Sequence, residues 1–213
     1  MRELPILFST PMVQAIQADT KNQTRRTAGL EKVNEIPDDW KLISVSLVHK
    51  KPLPGFVFNF DFHFNFMNKK GEEIKCKPRY QKDDKIWVKE TYTLIPPQSI
   101  VYRAGYTSAN QPKWKSSLFM RKEYARTWLE CISVRCERLL DISKSDAIGE
   151  GIFQKECEGI GTVYKLYAKK ETKAWDQSPV VSYMSLWDMI NGECSYLKNP
   201  WVFIYDFKRI EKL

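Results

Sequence analysis

Several common classes of protein are excluded by what this sequence lacks. It has no run of 18 apolar residues, so no membrane-spanning helix is expected. Its nine glycines are dispersed and form neither of the glycine-rich phosphate-binding loops, which disfavours nucleotide-driven chemistry. Residues 1–12 lack the basic start, apolar stretch and cleavage site of a signal peptide.

Histidine and cysteine are also scarce. Only His49 and His63 are present, both in predicted strands, which gives little basis for a Ser-His-Asp or Cys-His hydrolase. The five cysteines are irregularly spaced without a C-x-x-C pair, so neither a disulfide framework nor a zinc site is expected. We therefore predict a cytoplasmic protein with free thiols and no metal or cofactor.

The composition is that of a folded protein with a moderate basic excess. Hydrophobic residues make up 43% of the 213 residues, which predicts a single domain over residues 1–213. The net charge of +8 is compatible with a phosphate-bearing partner, although many basic proteins bind none. No DNA-specific motif is present.

The apolar periodicity predicts more strand than helix. Helices are expected at about 11–19, 143–152 and 182–193. Strands are expected at 43–49, 55–66, 72–77, within 82–93, and at 99–104, 124–140 and 200–210. Because strand and helix do not alternate regularly, we predict an α+β fold, a small and mostly antiparallel barrel with helices at its ends.

The stretch GFVFNFDFHFNF (55–66) alternates phenylalanine with other residues, mostly polar. The pattern places six side chains on one face of a strand, namely Phe56, Phe58, Phe60, Phe62, Phe64 and Phe66. These rings could stack nucleic-acid bases, but a half-buried strand that covers a core needs the same pattern. We favour the core interpretation.

The stretch ADTKNQTRR (18–26) is unusually rich in residues that can do chemistry. It follows the predicted helix 11–19, and residues 21–27 lack a helical apolar stripe, so it should be a helix-to-strand junction. In a flat strand Lys21 and Arg25 point to one face and Thr24 and Arg26 to the other. Bringing Lys21 and Thr24 together would then require a kink or bulge.

A series of motifs resembles a known family. The order of these motifs is similar to that of the ASCH domain, whose signature is G-x-K-x-x-E-x-R. The motifs are a helix, DTKNQTRR, DDKIWVKE, a strand with RCERL, DAIGEG and a terminal WVFIYDF strand. The resemblance implies a PUA-like β-barrel linked to RNA, with insertions near 27–80, 94–120 and 153–180. Over nearly the whole chain, the start PILFSTPMVQAI, the motif IWVKET and the end NPWVFIYDF resemble longer phage and prophage ASCH-type proteins, a group without a settled activity.

A bacterial branch of this family, the small N4-acetylcytidine amidohydrolases, is similar at the junction. The branch has Lys, Thr and Arg at the spacing of Lys21, Thr24 and Arg26, where other members have Glu at the Thr position. Its catalytic Glu follows a later short helix and matches Glu150. The resemblance implies a catalytic set of Lys21, Thr24 and Glu150.

These side chains suffice for amide hydrolysis without a metal. A threonine hydroxyl becomes nucleophilic when a base removes its proton, and a lysine with a lowered pKa can act as that base. Arg25 and Arg26 are the cations that would lower the pKa of Lys21. Glu150 could position the lysine or carry a proton to the leaving amine.

Three alternatives stay open. The junction could be a polar strand whose arginines pair with carboxylates. It could belong to a non-catalytic RNA-binding module, aided by the basic span 101–138. The residues proposed to bind substrate or RNA are Arg25, Arg26, Lys89 and Arg121 for phosphates and Trp87, Tyr92 or Trp114 for bases, although Trp87 fits a core position equally. A ribonuclease would need a base near a phosphate site that the sequence does not identify.

Two further predictions concern residues outside this set. Asp146, in the first turn of the predicted helix 143–152, is expected to interact with the helix dipole. Trp175, Trp187 and Trp201 lie in apolar surroundings and are expected to pack.

Overall fold

The computed structural model describes residues 2–49, 60–95, 99–168 and 173–212. The helices in these ranges are α1 (Thr10–Gln17), α2 (Glu31–Glu35), α3 (Lys144–Gly149) and α4 (Pro179–Asn191). The strands are β1 (Glu3–Leu7), β2 (Gln23–Arg26), β3 (Trp40–His49), β4 (Phe60–Asn68), β5 (Glu73–Cys76), β6 (Lys85–Lys89), β7 (Tyr92–Ile95), β8 (Ser99–Tyr102), β9 (Trp128–Arg138), β10 (Gln154–Cys157), β11 (Gly161–Lys165), β12 (Trp175–Asp176) and β13 (Trp201–Ile210). Short 3-10 helices occupy Pro37–Asp39, Ser117–Phe119, Lys122–Tyr124 and Leu139–Asp141. The fold is mixed α+β, as predicted.

The largest sheet has five strands in the order β1-β6-β9-β13-β2. Only β1 and β6 run parallel, and the other neighbours are antiparallel. Strand β13 lies between β9 and β2, and its residues Val202 to Tyr205 are all buried. Consecutive buried residues point to opposite faces of a strand, so both faces of the sheet are covered here.

A second sheet, in the order β3-β4-β5, packs on the first through phenylalanines. Phe64 and Phe66 are fully buried, and the Phe64 ring lies 5.4 Å from that of Phe203 on β13. The core interpretation of the phenylalanine run is confirmed for this part of it. Phe60, at the start of β4, is exposed, and residues 56 and 58 lie outside the described ranges.

The helix boundaries follow local signals closely. In α1 the buried residues Met12, Val13 and Ile16 form the predicted stripe, and the helix ends at Gln17, two residues before the predicted end. Ser143 caps α3 by accepting a hydrogen bond from the backbone N–H of Asp146. Helix α4 begins at Pro179, before the predicted start.

Two smaller sheets complete the described part of the chain. Strands β10, β11 and β12 form an antiparallel sheet beside α4, and β7 pairs with β8. The described strands form four sheets without a closed barrel, so the barrel itself stays a prediction. Within the described ranges, the helices are too short or too polar to cross a membrane.

Candidate functional site

The site begins where the chain leaves α1. After Gln17, the backbone N–H groups of Thr20 and Lys21 both donate to the carbonyl of Ala15, and Asp19 adopts a left-handed conformation with φ of 55°. This tight reversal ends the helix and turns the chain into β2. Lys21 is thereby placed just before the strand, at the helix-to-strand junction that the sequence predicts.

The end of α3 lies directly against this junction. The backbone N–H of Asn22 donates to the carbonyl of Gly149 at 3.0 Å, and Lys21 and Glu150 form an isolated antiparallel bridge. A Cβ atom at Gly149 would lie 2.6 Å from Asn22 Oδ1, and one at Gly151 would lie 2.7 Å from Lys21 Cβ. The two glycines of DAIGEG therefore permit the approach, and Gly151 also has the positive φ (79°) that favours glycine.

The Lys21 amine has three oxygen partners. Its Nζ donates to the carbonyl of Gln23 at 2.8 Å, the carbonyl of Glu150 at 2.6 Å and Glu150 Oε2 at 3.0 Å. Lys21 and Glu150 are each only 4% exposed. Three acceptors satisfy every N–H of an ammonium group, so the pair is fixed in one geometry.

Arg25 joins the same carboxylate to a second one. Its guanidinium donates to Glu150 Oε1 at 3.1 Å and to Asp146 Oδ2 at 3.0 Å. Asp146 and Glu150 are four residues apart, so both face β2 from one side of α3. Arg135 on β9 donates to the other Asp146 oxygen at 3.0 Å and to Gln23 at 3.1 Å. The result is a continuous network in which Lys21, Arg25 and Glu150 are buried. Asp146 is partly exposed, and Arg135, which also pairs with Glu137 and Asp206, is about a third exposed.

The network perturbs the pKa values of its members. Burial lowers the pKa of Lys21 below its usual value, and the charges of Arg26 and Arg25 act in the same direction, while Glu150 opposes them. Burial alone would raise the pKa of Asp146, but hydrogen bonds from Arg135 and Gln23 and the charge of Arg25 lower it to about 2. Burial raises the pKa of Tyr183, whose ring lies 5.9 Å from the Arg25 guanidinium, well above its usual value.

The alternation predicted for β2 is found. Lys21, Gln23 and Arg25 all contact α3, whereas Arg26 donates to the carbonyl of Leu7 and lies over the ring of Phe8. Thr24 is buried at 2% exposure, and within the described ranges its hydroxyl forms no hydrogen bond with Lys21. The two predicted catalytic groups therefore lie in the same region, without a hydrogen bond between them among the described contacts.

Thr24, Lys21, Arg25, Arg26 and Glu150 all line one cavity of about 960 Å³. This volume is at the upper end of the range for small-molecule sites. Its aromatic lining comprises Phe8, Phe153, Tyr167, Trp175, Tyr183 and Trp187. The cavity thus combines an apolar wall with a charged network, which is the usual composition of a ligand site.

One wall of the cavity comes from a segment that the family resemblance implies to be an insertion. The sheet β10-β11-β12 and the residues beside it, within 153–180, contribute Phe153, Lys155, Lys165, Tyr167, Lys173 and Trp175. Trp187 is buried and Trp201 packs against Phe66, as predicted, whereas Trp175 is half-buried and faces the cavity.

The structure separates the other predicted binding residues from this cavity. Trp87 and Lys89 lie on β6, where Lys89 donates to the carbonyl of Leu118 and its Nζ is 5.7 Å from the Trp87 ring centroid. Arg121 pairs with Glu123 at 3.4 Å and lines a second, smaller groove. None of these three residues lines the large cavity, and Trp87 is half-buried, not in the core.

Gln23 and Arg135 belong to the network but were not predicted. Asp146 was assigned only to the helix dipole, although it also bridges Arg25 and Arg135. The four-residue spacing of Asp146 and Glu150 was the signal available in the sequence, because it puts two carboxylates on one side of a short helix. The position of Arg135 has no local signature, since its partners lie on other strands.

No cluster of potential metal ligands occurs within the described ranges. Comparisons of the chain with family models, curated proteins and solved structures gave no match.

Proposed function

We propose that this chain is an ASCH-type protein with a PUA-like barrel, and that its cavity hydrolyses an amide on an acylated pyrimidine nucleoside. The observation that carries the proposal is the hydrogen-bonded pair of Lys21 and Glu150 inside a cavity that Thr24 also lines. A base, a carboxylate and a hydroxyl within one aromatic cavity are the groups that acyl transfer needs.

The shape of the site supports a small ligand over an extended nucleic acid. A module that only binds RNA is expected to present an open basic groove without a convergent acid–base set. Here the convergent residues are buried and the surrounding wall is largely aromatic and aliphatic. Aromatic rings such as those of Phe8 and Tyr183 offer stacking surfaces for a pyrimidine.

The chemistry is assigned as follows. Lys21 must first lose one proton to solvent, a loss that its lowered pKa makes easier. Thr24 Oγ1 then attacks the acyl carbon while its proton passes to the neutral Lys21 amine. Collapse of the tetrahedral intermediate breaks the bond between the acyl carbon and the exocyclic nitrogen, which takes up the proton returned by Lys21. Water then cleaves the threonine ester, releasing the carboxylic acid and restoring the hydroxyl.

Glu150 acts in this scheme through its contacts with two cations. It holds the Lys21 amine at 3.0 Å and the Arg25 guanidinium at 3.1 Å, so it fixes the direction of the amine. Because Thr24 has no hydrogen bond to Lys21 in the described part of the chain, substrate binding must bring the hydroxyl to the amine, directly or through one water. The scheme therefore requires Thr24 to move and Lys21 to release one of its three acceptors, so that the lone pair of its amine faces the hydroxyl.

The test is hydrolysis of N4-acetylcytidine by the purified protein, followed by chromatographic detection of cytidine. Thr24→Val removes the hydroxyl at nearly constant shape, whereas Thr24→Ser keeps it. Lys21→Met removes the base. We expect Thr24→Val and Lys21→Met to lose at least about a hundredfold in kcat, as expected for an acid–base or nucleophilic group, and Thr24→Ser to retain turnover.

Thr27→Val is the matched control, because Thr27 lines the cavity but has no catalytic role in the scheme. Its turnover should equal that of the wild type. Absence of turnover by the wild-type protein, or full activity of Thr24→Val, would refute the hydrolase. Salt-dependent binding of RNA without turnover would instead favour the non-catalytic binding module.

A further inference from the structure

The cavity has a surplus of positive charge that the catalytic scheme does not use. Among its described lining residues six are basic, namely Lys21, Arg25, Arg26, Lys155, Lys165 and Lys173, whereas Glu150 is the only acidic one. Lys21 and Arg25 are balanced by Glu150 and Asp146. The other four have no carboxylate partner among the described residues.

Three of these four unpaired cations lie on one wall. Lys155 is on β10, Lys165 ends β11, and Lys173 precedes β12, so the antiparallel sheet β10-β11-β12 brings them together. Lys155 Nζ lies 4.0 Å from the ring centroid of Trp175, and Lys165 Nζ lies 5.7 Å from that of Tyr167. These two amines thus lie beside aromatic rings in the cavity lining, without an ion pair to any described carboxylate.

Some lysines elsewhere in the described ranges are paired with carboxylates. Lys85 and Lys208 both bind Glu130, and Lys77 binds Asp61. A group of unpaired lysines around one cavity repels itself, and this repulsion is relieved when an anion binds. The unpaired charges therefore indicate an anionic ligand.

We infer that the ligand of this cavity is a phosphorylated pyrimidine, whose phosphate lies against Lys155, Lys165 and Lys173 while its base reaches Lys21, Thr24 and Glu150. The inference rests on the proposed function for the position of the base. A free nucleotide and the end of an RNA chain share this chemistry. The cavity is large enough for the free nucleotide.

The experiment compares a ligand with and without the phosphate. Calorimetric titration would measure binding of cytidine, cytidine 5′-monophosphate and a short RNA that ends in cytidine 5′-phosphate. We expect the monophosphate to bind roughly tenfold more tightly than cytidine, because exposed charge pairs each contribute about twofold to fivefold. The advantage should shrink when salt rises from about 0.1 M to about 1 M, since the Debye length falls from about 10 Å to about 3 Å.

The triple variant Lys155→Gln, Lys165→Gln and Lys173→Gln tests whether these lysines bind the phosphate. The single variant Lys155→Gln is measured as well, in case the triple variant does not fold. The ratio of the affinity for cytidine 5′-monophosphate to the affinity for cytidine should fall toward one in the triple variant, and should fall partway in the single variant. Lys82→Gln is the matched control, because Lys82 is exposed and lies outside the cavity. Its ratio should equal that of the wild type.

The outcomes separate this inference from the proposed function. Equal affinity of the wild type for cytidine and its monophosphate would overturn the phosphate site while leaving hydrolysis of the acylated nucleoside intact. An advantage that persists in the triple variant would also overturn it. Failure of every ligand to bind, together with absence of turnover, would overturn both. Tighter binding of the RNA than of the monophosphate would identify the RNA end as the source.

Discussion

Replacing Glu150 with glutamine is expected to destabilise the fold strongly. The carboxylate of Glu150 is the shared partner of Lys21 at 3.0 Å and of Arg25 at 3.1 Å, and its side chain is only 5% exposed. Glutamine preserves the shape but removes the negative charge. Among the described residues, the two buried cations then retain only Asp146 as a nearby acidic partner, on the Arg25 side.

The size of the effect follows from burial. Breaking a buried ion pair by removing one partner costs about 3–5 kcal/mol, because the remaining charge is left without compensation. Lys21→Met removes a cation instead, and Arg25 and Glu150 still neutralise each other. Its cost should come instead from the backbone carbonyls of Gln23 and Glu150, which each lose a donor at about 1–3 kcal/mol, so about 2–6 kcal/mol together.

Urea unfolding followed by circular dichroism would give the free energy of unfolding of each variant. Glu130→Gln is the control, because Glu130 also pairs with two cations, Lys85 and Lys208, but at a more exposed position. Lys208 is exposed, while Lys85 and Glu130 keep some access to solvent, so the loss should be smaller than for Glu150, about 1–2 kcal/mol.

The double variant Lys21→Met with Glu150→Gln completes the cycle. It should be more stable than the sum of the single losses predicts, because removing Lys21 also removes the charge that Glu150→Gln leaves unpaired. A loss below about 1 kcal/mol in Glu150→Gln, or equal losses in Glu150→Gln and Glu130→Gln, would refute the view that this network is buried and mutually compensating.

Two further predictions test the neighbours of this network. Gly151→Ala should lower the free energy of unfolding by about 2–5 kcal/mol, because alanine is strained at this positive φ and its Cβ would overlap Lys21. Gly71 also has a positive φ but has open space around it, so Gly71→Ala should cost about 1 kcal/mol. Thermal unfolding would measure both losses, and equal losses would contradict the close contact between Gly151 and Lys21. The pKa of Asp146 is lowered to about 2, so its carboxylate stabilises the fold above about pH 4, and this stabilisation is lost as the pH falls toward 2. The free energy of unfolding of the wild type should therefore fall by about 1–2 kcal/mol more than that of Asp146→Asn on acidification. Parallel curves of unfolding free energy against pH for the two proteins would contradict this.

Much of the secondary structure was predictable because its signals are local. The apolar stripe of Met12, Val13 and Ile16 predicted α1, and Ser143 as an N-cap residue predicted the start of α3. The alternation in residues 124–140 gave most of β9, the strand Trp128–Arg138. Each of these patterns reflects interactions between residues a few positions apart, which the sequence displays directly.

The binding residues were predicted less well. Trp87, Lys89 and Arg121 were chosen by residue type, but the fold places none of them at the cavity. Lys155, Lys165 and Trp175, which do line it, carry no distinctive local pattern. Their position depends on how the sheet β10-β11-β12 packs beside α4, and that packing is a long-range property.

The sequence by itself determined the chemical groups at the junction, its place between a helix and a strand, and the orientation of alternate residues in β2. Tertiary structure alone decided which partner each group meets. Lys21 and Glu150 are 129 positions apart, and their contact depends on the close approach of α3 that two glycines permit. An extended segment has two faces, and only the packing of other elements against each face decides which side chains become buried and paired.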